Sequence, residues 1–336
     1  MPLMFDSRAA DLLSKGYYKE RLEPDECKYL LTFRDRSPEA AMAVSLADRL
    51  TRSECKSTGL LVAEIPVSTG PCPVGCRFCK WAESTTDSLF WDIDGDDLAR
   101  RCRELGAFSD VRRIRLSTIG DADIGRLAEL AGIAADSAPK GTEIYVDTRD
   151  LDASEAGTLK DAGVTGAYHS VRLGEGTETG VSAEKRLDTI RTLISAGLRT
   201  VAGTGPIGPE HTPKEIVDLF YATDGMGCDG MQVYPREPAE GAPLCGNGKI
   251  LPARMSQIRA VLTLAMSRYD FPAFEPYRGT FVEGRNVANF VYGANGKEEL
   301  RAARRKLFNA GYDGIARADG KRADLTLAYM KQTGSM

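Results

Sequence analysis

Three cysteines, Cys72, Cys76 and Cys79, follow an apolar run in the pattern C-x3-C-x2-C. At this spacing each thiolate can take one iron of an iron–sulfur cluster, and three is one fewer than the four that close an ordinary cubane site. A [4Fe-4S] cluster held this way keeps one iron open to a small ligand. Zinc is the competing reading, but zinc ribbons pair two C-x2-C knuckles, and neither a second knuckle nor a nearby histidine is present.

A loop of this kind needs a rigid support. From Gly59 onward short apolar runs alternate with helical patterns, which predicts βα units around a parallel sheet. The predicted strands are Leu60–Val67, Arg113–Ser117, Glu143–Asp147, Gly166–Val171, Arg199–Gly203, Met231–Tyr234, Ala273–Tyr277 and Ala288–Tyr292. Helical patterns between them include Asp96–Leu105, Ala183–Ala196, Pro213–Ala222, Arg254–Ser267 and Glu298–Ala310, and Gly163 and Gly197 stand where helix ends call for a left-handed residue. The fold class is therefore α/β, a (β/α)8 TIM-type barrel. Its seventh unit is incomplete, because Gly279–Val287 has room for little more than one helical turn. The organisation reads as an N-terminal helical extension (1–58), a barrel (59–316) and a C-terminal tail (317–336). In such barrels chemistry sits at the C-terminal strand ends, and the cysteine loop follows the first strand.

Composition bounds the function. The chain has 336 residues, 42% hydrophobic and 27% charged, with a net charge of -4. That balance predicts no nucleic-acid partner; the densest basic stretch, Arg301–Lys306, has helical spacing and reads as a solvated face. No apolar run approaches the roughly 18 residues a membrane span requires, and no secretory signal opens the chain, so a cytoplasmic, membrane-free protein is expected. Eight cysteines, three of them clustered, fit a reducing compartment better than a disulfide framework.

With Phe78 in its aromatic slot, the Cys72–Cys79 pattern resembles the hallmark of the radical S-adenosylmethionine (SAM) superfamily. The preceding Ser68-Thr69-Gly70-Pro71, the run Lys185-Arg186-Leu187-Asp188-Thr189-Ile190 with Ala196-Gly197 beyond it, and the loop Pro235–Leu244 resemble the biotin synthase-like branch. That branch includes biotin synthase, the hydrogenase maturase HydE, methylornithine synthase and HmdB. The resemblance implies a [4Fe-4S] cluster, SAM bound to its open iron, and an electron donor such as ferredoxin or flavodoxin. It implies a 5′-deoxyadenosyl radical that abstracts hydrogen from a small-molecule substrate. Residue by residue, it puts Phe78 near adenine and Arg186 near the cosubstrate carboxylate. Arg172 and Glu175 stand where the family meets the ribose or amino group. Ser117 and Asp121 lie in the strand-two loop, where this chain departs from the family's Gly-Gly-Glu-type pattern.

The substrate side is read from the barrel wall. His169, Thr204, Gln232, Glu275, Tyr277 and Arg278 lie on or beside predicted strands and are substrate-binding candidates, Arg278 through a planar fork suited to carboxylates. His211 reads either as a ligand contact or as part of a helix start. Where biotin synthase carries second-cluster cysteines, this chain has Val201-Ala202 and Leu116-Ser117, which points away from biotin synthesis. Isolated cysteines are usually small buried hydrophobes, as Cys102 is read, but Cys27, Cys55 and Cys245 are candidates for a second iron–sulfur cluster. Three functions follow: a one-cluster radical enzyme that rearranges or fragments a small metabolite in cofactor or amino-acid biosynthesis, a sulfur-inserting enzyme of lipoyl synthase type, and a non-enzymatic iron–sulfur scaffold.

Overall fold

The computed structural model describes residues 5–107, 109–147, 149–266 and 286–336. Three helices come first: α1 (Ser7–Tyr17), α2 (Pro24–Leu30) and α3 (Pro38–Glu54). Asp6 caps α1 by accepting from the Ala9 amide at 2.8 Å, Glu23 and Glu26 form a reciprocal capping box on α2, and Ser37 caps α3. The barrel begins with β1 (Thr58–Thr69), a short β2 (Trp91–Asp92), α4 (Gly95–Gly106), β3 (Val111–Thr118), α5 (Ile124–Ser137), β4 (Glu143–Asp147) and α6 (Ala153–Asp161). It continues through β5 (Gly166–Tyr168), β6 (Val171–Arg172), α7 (Ala183–Ser195), β7 (Arg199–Ile207), α8 (Pro213–Asp224), β8 (Gly230–Pro235) and α9 (Pro252–Ala265). Then come β9 (Val287–Val291), α10 (Gly296–Asn309), β10 (Gly314–Ala316), β11 (Arg322–Asp324) and α11 (Leu327–Gln332). No helix among the described residues is long and apolar enough to cross a membrane.

Parallel ladders join the strands in the order β9, β1, β3, β4, β5, β7, β8, with β6 pairing Thr204 and Gly205 of β7. This is a partial TIM-type barrel. Among the described residues the sheet does not close, and β8 and β9 are its edges. The predicted strand at 273–277, with Glu275, Tyr277 and Arg278, lies outside the described residues. Two further corrections apply: Gly166–Val171 is two short strands rather than one, and β10 and β11 were not anticipated. β10 pairs with the first residues of β1 and β11 folds back on it antiparallel. Three-residue strands are too short to show a period of two.

That period sorts the side chains. Leu61, Ala63, Ile65 and Val67 of β1 point outward into a core shared with Leu98 of α4, Leu127 of α5 and Leu300 of α10. Each such leucine contributes about 1.5–3 kcal/mol on burial. A second core unites Leu13, Cys27, Leu30 and Ala43 of the first three helices with Phe220 of α8 and Ile258 of α9, so those helices coat the barrel instead of building a core of their own.

The inward phase carries a small apolar cluster of Leu60, Val62 and Val287 and is otherwise largely polar, unlike the branched aliphatic layers usual in such barrels. At the N-terminal strand ends the Arg113 guanidinium lies 3.9 Å from the Tyr145 ring centre and donates to Glu143 at 3.0 Å and to the Tyr168 hydroxyl at 3.1 Å. Arg112 and Arg199 also reach Glu143, at 3.0 and 2.8 Å. Burial disfavours the Glu143 carboxylate, yet the three arginines hold it below the usual carboxyl range. One layer higher, Arg115 stacks 4.4 Å from the Tyr168 ring centre, pairs with Asp147 and lies 3.7 Å from Glu64. These groups form the floor of a polar lumen.

Candidate functional site

The three cysteines occupy the loop that leaves the C-terminal end of β1. Cys72 donates its amide to the Trp81 carbonyl at 2.7 Å and accepts from Glu83 at 3.2 Å, which ties the two limbs of the loop together. A tight turn links the other two, the Cys79 amide donating to the Cys76 carbonyl at 3.0 Å. Gly75, at φ +65°, supplies the left-handed residue that bends the chain between Cys72 and Cys76. Two other loops hold this one. From the segment after β6, Gly180 donates to the Val74 carbonyl at 2.8 Å and the Glu178 carbonyl accepts from Arg77 at 2.9 Å. From the segment after β8, Leu244 donates to the Arg77 carbonyl at 3.0 Å.

Cys76 is buried and its neighbours Cys72 and Cys79 are partly exposed. Burial pushes the Cys76 thiol up to about 11, and the nearby Arg172 guanidinium opposes that rise. Trp81 offers its amide to the Cys79 sulfur at 3.4 Å.

The residues present fit a cluster. Among the described residues no group of three or more His, Cys, Asp or Glu side chains is arranged to hold a single metal ion. A cubane takes one thiolate per iron, so its ligands need not converge on one point. Two buried cationic nitrogens have no hydrogen-bond acceptor: Arg172 Nη1, which lies 3.6 Å from Glu175 Oε1, and Arg186 Nη2. Orphaned donors of this kind suit an anionic cluster and a carboxylate-bearing ligand.

Arg172 points into the lumen, since its neighbour Val171 packs in the outer core. Burial opposes its charge, and the Glu175 and Asp147 carboxylates nearby help to hold it. The buried side chain of Glu175 accepts from Arg186 Nε at 3.1 Å, from the Arg172 amide at 3.3 Å and from the Thr179 hydroxyl. Arg186 also pairs with Asp150 at 3.0 Å. Ser117 is buried at the end of β3 on the lumen phase, opposite Asp147. Phe78 is half-buried within the loop. Asp121 is exposed and pairs with Arg149 at 3.1 Å.

The substrate candidates separate. Gln232 lies on the lumen phase of β8, opposite Gly203. His169 takes the opposite phase from Tyr168, and its Nε2 lies 3.0 Å from Asp150 Oδ1. Thr204 alternates with Gly203, and its buried hydroxyl has no partner. A side chain at Gly203 would collide with Ser170, so this position keeps the lumen open beside Tyr234. His211 Nδ1 accepts from the Gly208 amide at 2.8 Å, within a loop fixed by the Arg236–Glu210 pair.

The second-cluster expectation is corrected. Cys27 is buried in the core under α8, 3.4 Å from the Tyr221 hydroxyl, and Cys55 in the other core. Burial pushes their thiols up to about 12 and about 11. Cys245 sits in a turn after β8, so the three are not brought together.

Sequence reasoning missed Asp150, Ser170, Tyr234 and the Glu64–Arg115–Asp147 layer. The alternation Arg113, Arg115, Ser117 on a predicted strand was a readable signal for that layer. Nothing in the sequence marked Asp150.

No family model matches the chain. It is 25% identical over 286 residues to a biotin synthase of Nocardioides sp., covering 82% of this chain and 72% of that one. A biotin synthase of Saccharopolyspora erythraea is also 25% identical, over 72% of this chain and 69% of its own. Among solved structures, methylornithine synthase superposes with a TM-score of 0.75 at 16% identity, covering 92% of this chain and 98% of that one. HydG, a maturase of the [FeFe]-hydrogenase, gives 0.72 at 15% identity, over 92% of this chain and 76% of its own. These two likenesses establish the fold.

Proposed function

We propose that this chain, a radical SAM enzyme of the biotin synthase-like branch, cleaves SAM at a [4Fe-4S] cluster held by Cys72, Cys76 and Cys79. The radical so made takes a hydrogen atom from a small polar metabolite in the lumen, in a rearrangement or fragmentation belonging to cofactor or amino-acid biosynthesis. The observation that carries this reading is the three-thiol loop, held across the mouth of a polar lumen by the loops after β6 and β8.

When bound, the cluster and the cosubstrate supply one-electron chemistry and a carbon-centred radical. The chain's own residues bind, orient and enclose. Arg186 and Glu175 offer a cation and an anion to the amino-acid end of the cosubstrate. Arg172 places a positive charge beside Cys76, favouring the thiolate form. The Arg113–Glu143–Tyr145–Tyr168 floor blocks the far end of the lumen and keeps water out. Glu64, Arg115, Asp147 and Gln232 give the lumen both signs of charge and an amide, which supports a small polar substrate. Electrons come from a ferredoxin- or flavodoxin-type donor, and eight free cysteines suit the cytoplasm.

Sulfur insertion finds no support, because Cys27, Cys55 and Cys245 stand apart and no cysteine occupies a lumen position of β3 or β7. Reduced, anaerobically reconstituted protein incubated with SAM tests the proposal. Release of 5′-deoxyadenosine is the expected result; none from protein holding about four irons per chain would leave only a scaffold.

A further inference from the structure

Arg186 sits one turn into α7 with its side chain 2% exposed. Two carboxylates take two of its three nitrogens: Asp150 Oδ1 accepts from Nη1 at 3.0 Å, and Glu175 Oε1 from Nε at 3.1 Å. The third, Nη2, is buried with no acceptor. A buried donor left in that state costs about 1–3 kcal/mol, so an acceptor supplied from outside the chain would be strongly favoured there.

Asp150 is the centre of this arrangement. Besides Arg186, its Oδ1 meets Thr189 Oγ1 at 3.2 Å and His169 Nε2 at 3.0 Å. These contacts tie the loop after β4 to β5 and α7. Burial opposes its ionisation, but the His169 hydrogen bond and the Arg186 charge outweigh burial and bring its carboxyl down to about 2. Glu175 is fixed in turn by the Thr179 hydroxyl and the Arg172 amide. The guanidinium is therefore clamped from two sides, with one edge unused.

We infer that Asp150 is a positioning residue for cosubstrate binding: it fixes the Arg186 guanidinium so that Nη2 is presented to the carboxylate of SAM. The inference rests on the radical SAM reading. Asp150 touches Arg186, and its effect passes through that guanidinium.

Equilibrium binding of radiolabelled SAM to anaerobically reconstituted protein tests this, with iron content and thermal unfolding recorded for every variant. Asp150→Asn should weaken binding roughly ten-fold, the loss expected for one charge-assisted hydrogen bond. Arg186→Met should weaken it at least as much, and the double variant no further than Arg186→Met alone. Asp150→Glu should recover part of the loss. Should Asp150→Asn fail to fold, Thr189→Val and His169→Phe each remove one contact of Asp150 and should weaken binding two- to five-fold, again only while Arg186 is present. Unchanged affinity in these variants, or losses that multiply in the double variant, would overturn the assignment. Wild-type protein that carries its cluster yet binds no SAM would overturn the radical SAM reading itself.

Discussion

The Gly180 amide donates to the Val74 carbonyl at 2.8 Å, joining the loop after β6 to the middle of the cysteine loop. A β-carbon at position 180 would stand 2.9 Å from that same carbonyl oxygen, and a backbone atom cannot swing aside as a flexible side chain can. The close approach therefore requires glycine, and it ties the cysteine loop to the segment that carries Arg172 and Glu175.

Gly180→Ala should push these loops apart and loosen the cysteine loop without disturbing the barrel core. Reconstituted variant is expected to lose iron at least about two-fold faster than wild type under a chelator, while the apoprotein unfolds at a similar temperature. Equal rates of iron loss would show that the loop does not depend on this contact.

The barrel floor offers a stability prediction. Glu143→Gln removes a buried carboxylate shared by Arg112, Arg113 and Arg199, and with it the negative charge beside the buried Arg113 guanidinium. Such losses cost about 3–5 kcal/mol. Urea unfolding of the apoprotein should show a drop of that size; a change under about 0.5 kcal/mol would mean that water reaches the floor.

Acid sensitivity follows from Asp150, whose carboxyl falls from an ordinary 3.8 to about 2 in the folded chain. A lowered carboxyl stabilises the fold above its unfolded value, and that stabilisation disappears as pH falls through the folded value. The stability difference between wild type and Asp150→Asn should shrink as pH falls below 3.8 and be lost as pH falls through about 2. A difference that persists unchanged at pH 2 would mean that Asp150 is not ionised through this network.

Cys27 and Cys55 should behave as packing residues. Their raised thiols and full burial predict slow alkylation in the folded apoprotein, with Cys72, Cys79 and Cys245 labelled first. Replacing both by alanine should leave reconstituted iron at about four per chain. A fall in iron content would restore them as ligands.

The fold was legible in the sequence wherever the chain repeats a strand and helix of ordinary length. β1, β3, β4, β7, β8 and β9 and the helices between them fall close to the predicted spans. The short β10 and β11 left no periodic trace. In the site, the cysteine spacing and Arg186 were visible because their residue types are unusual where they stand. Cys27 and Cys55 turn out to be buried in separate cores and Cys245 to lie in a turn, a difference that spacing alone cannot show. Asp150 was invisible for a related reason: an acid in a loop next to other acids acquires its role only when β5 and α7 bring His169, Thr189 and Arg186 to it. The Glu64–Arg115–Asp147 layer was readable in principle, since a charged residue at every second position of a barrel strand must face the lumen or solvent.

The central claim, that Cys72, Cys76 and Cys79 hold the cluster that opens SAM, is tested most directly by replacing the buried member of the set. Wild type and Cys76→Ala, reconstituted and reduced side by side, are incubated with SAM and assayed for 5′-deoxyadenosine. Wild type should release it, and Cys76→Ala should release none while the apoprotein remains folded. Equal release from both proteins would contradict the account.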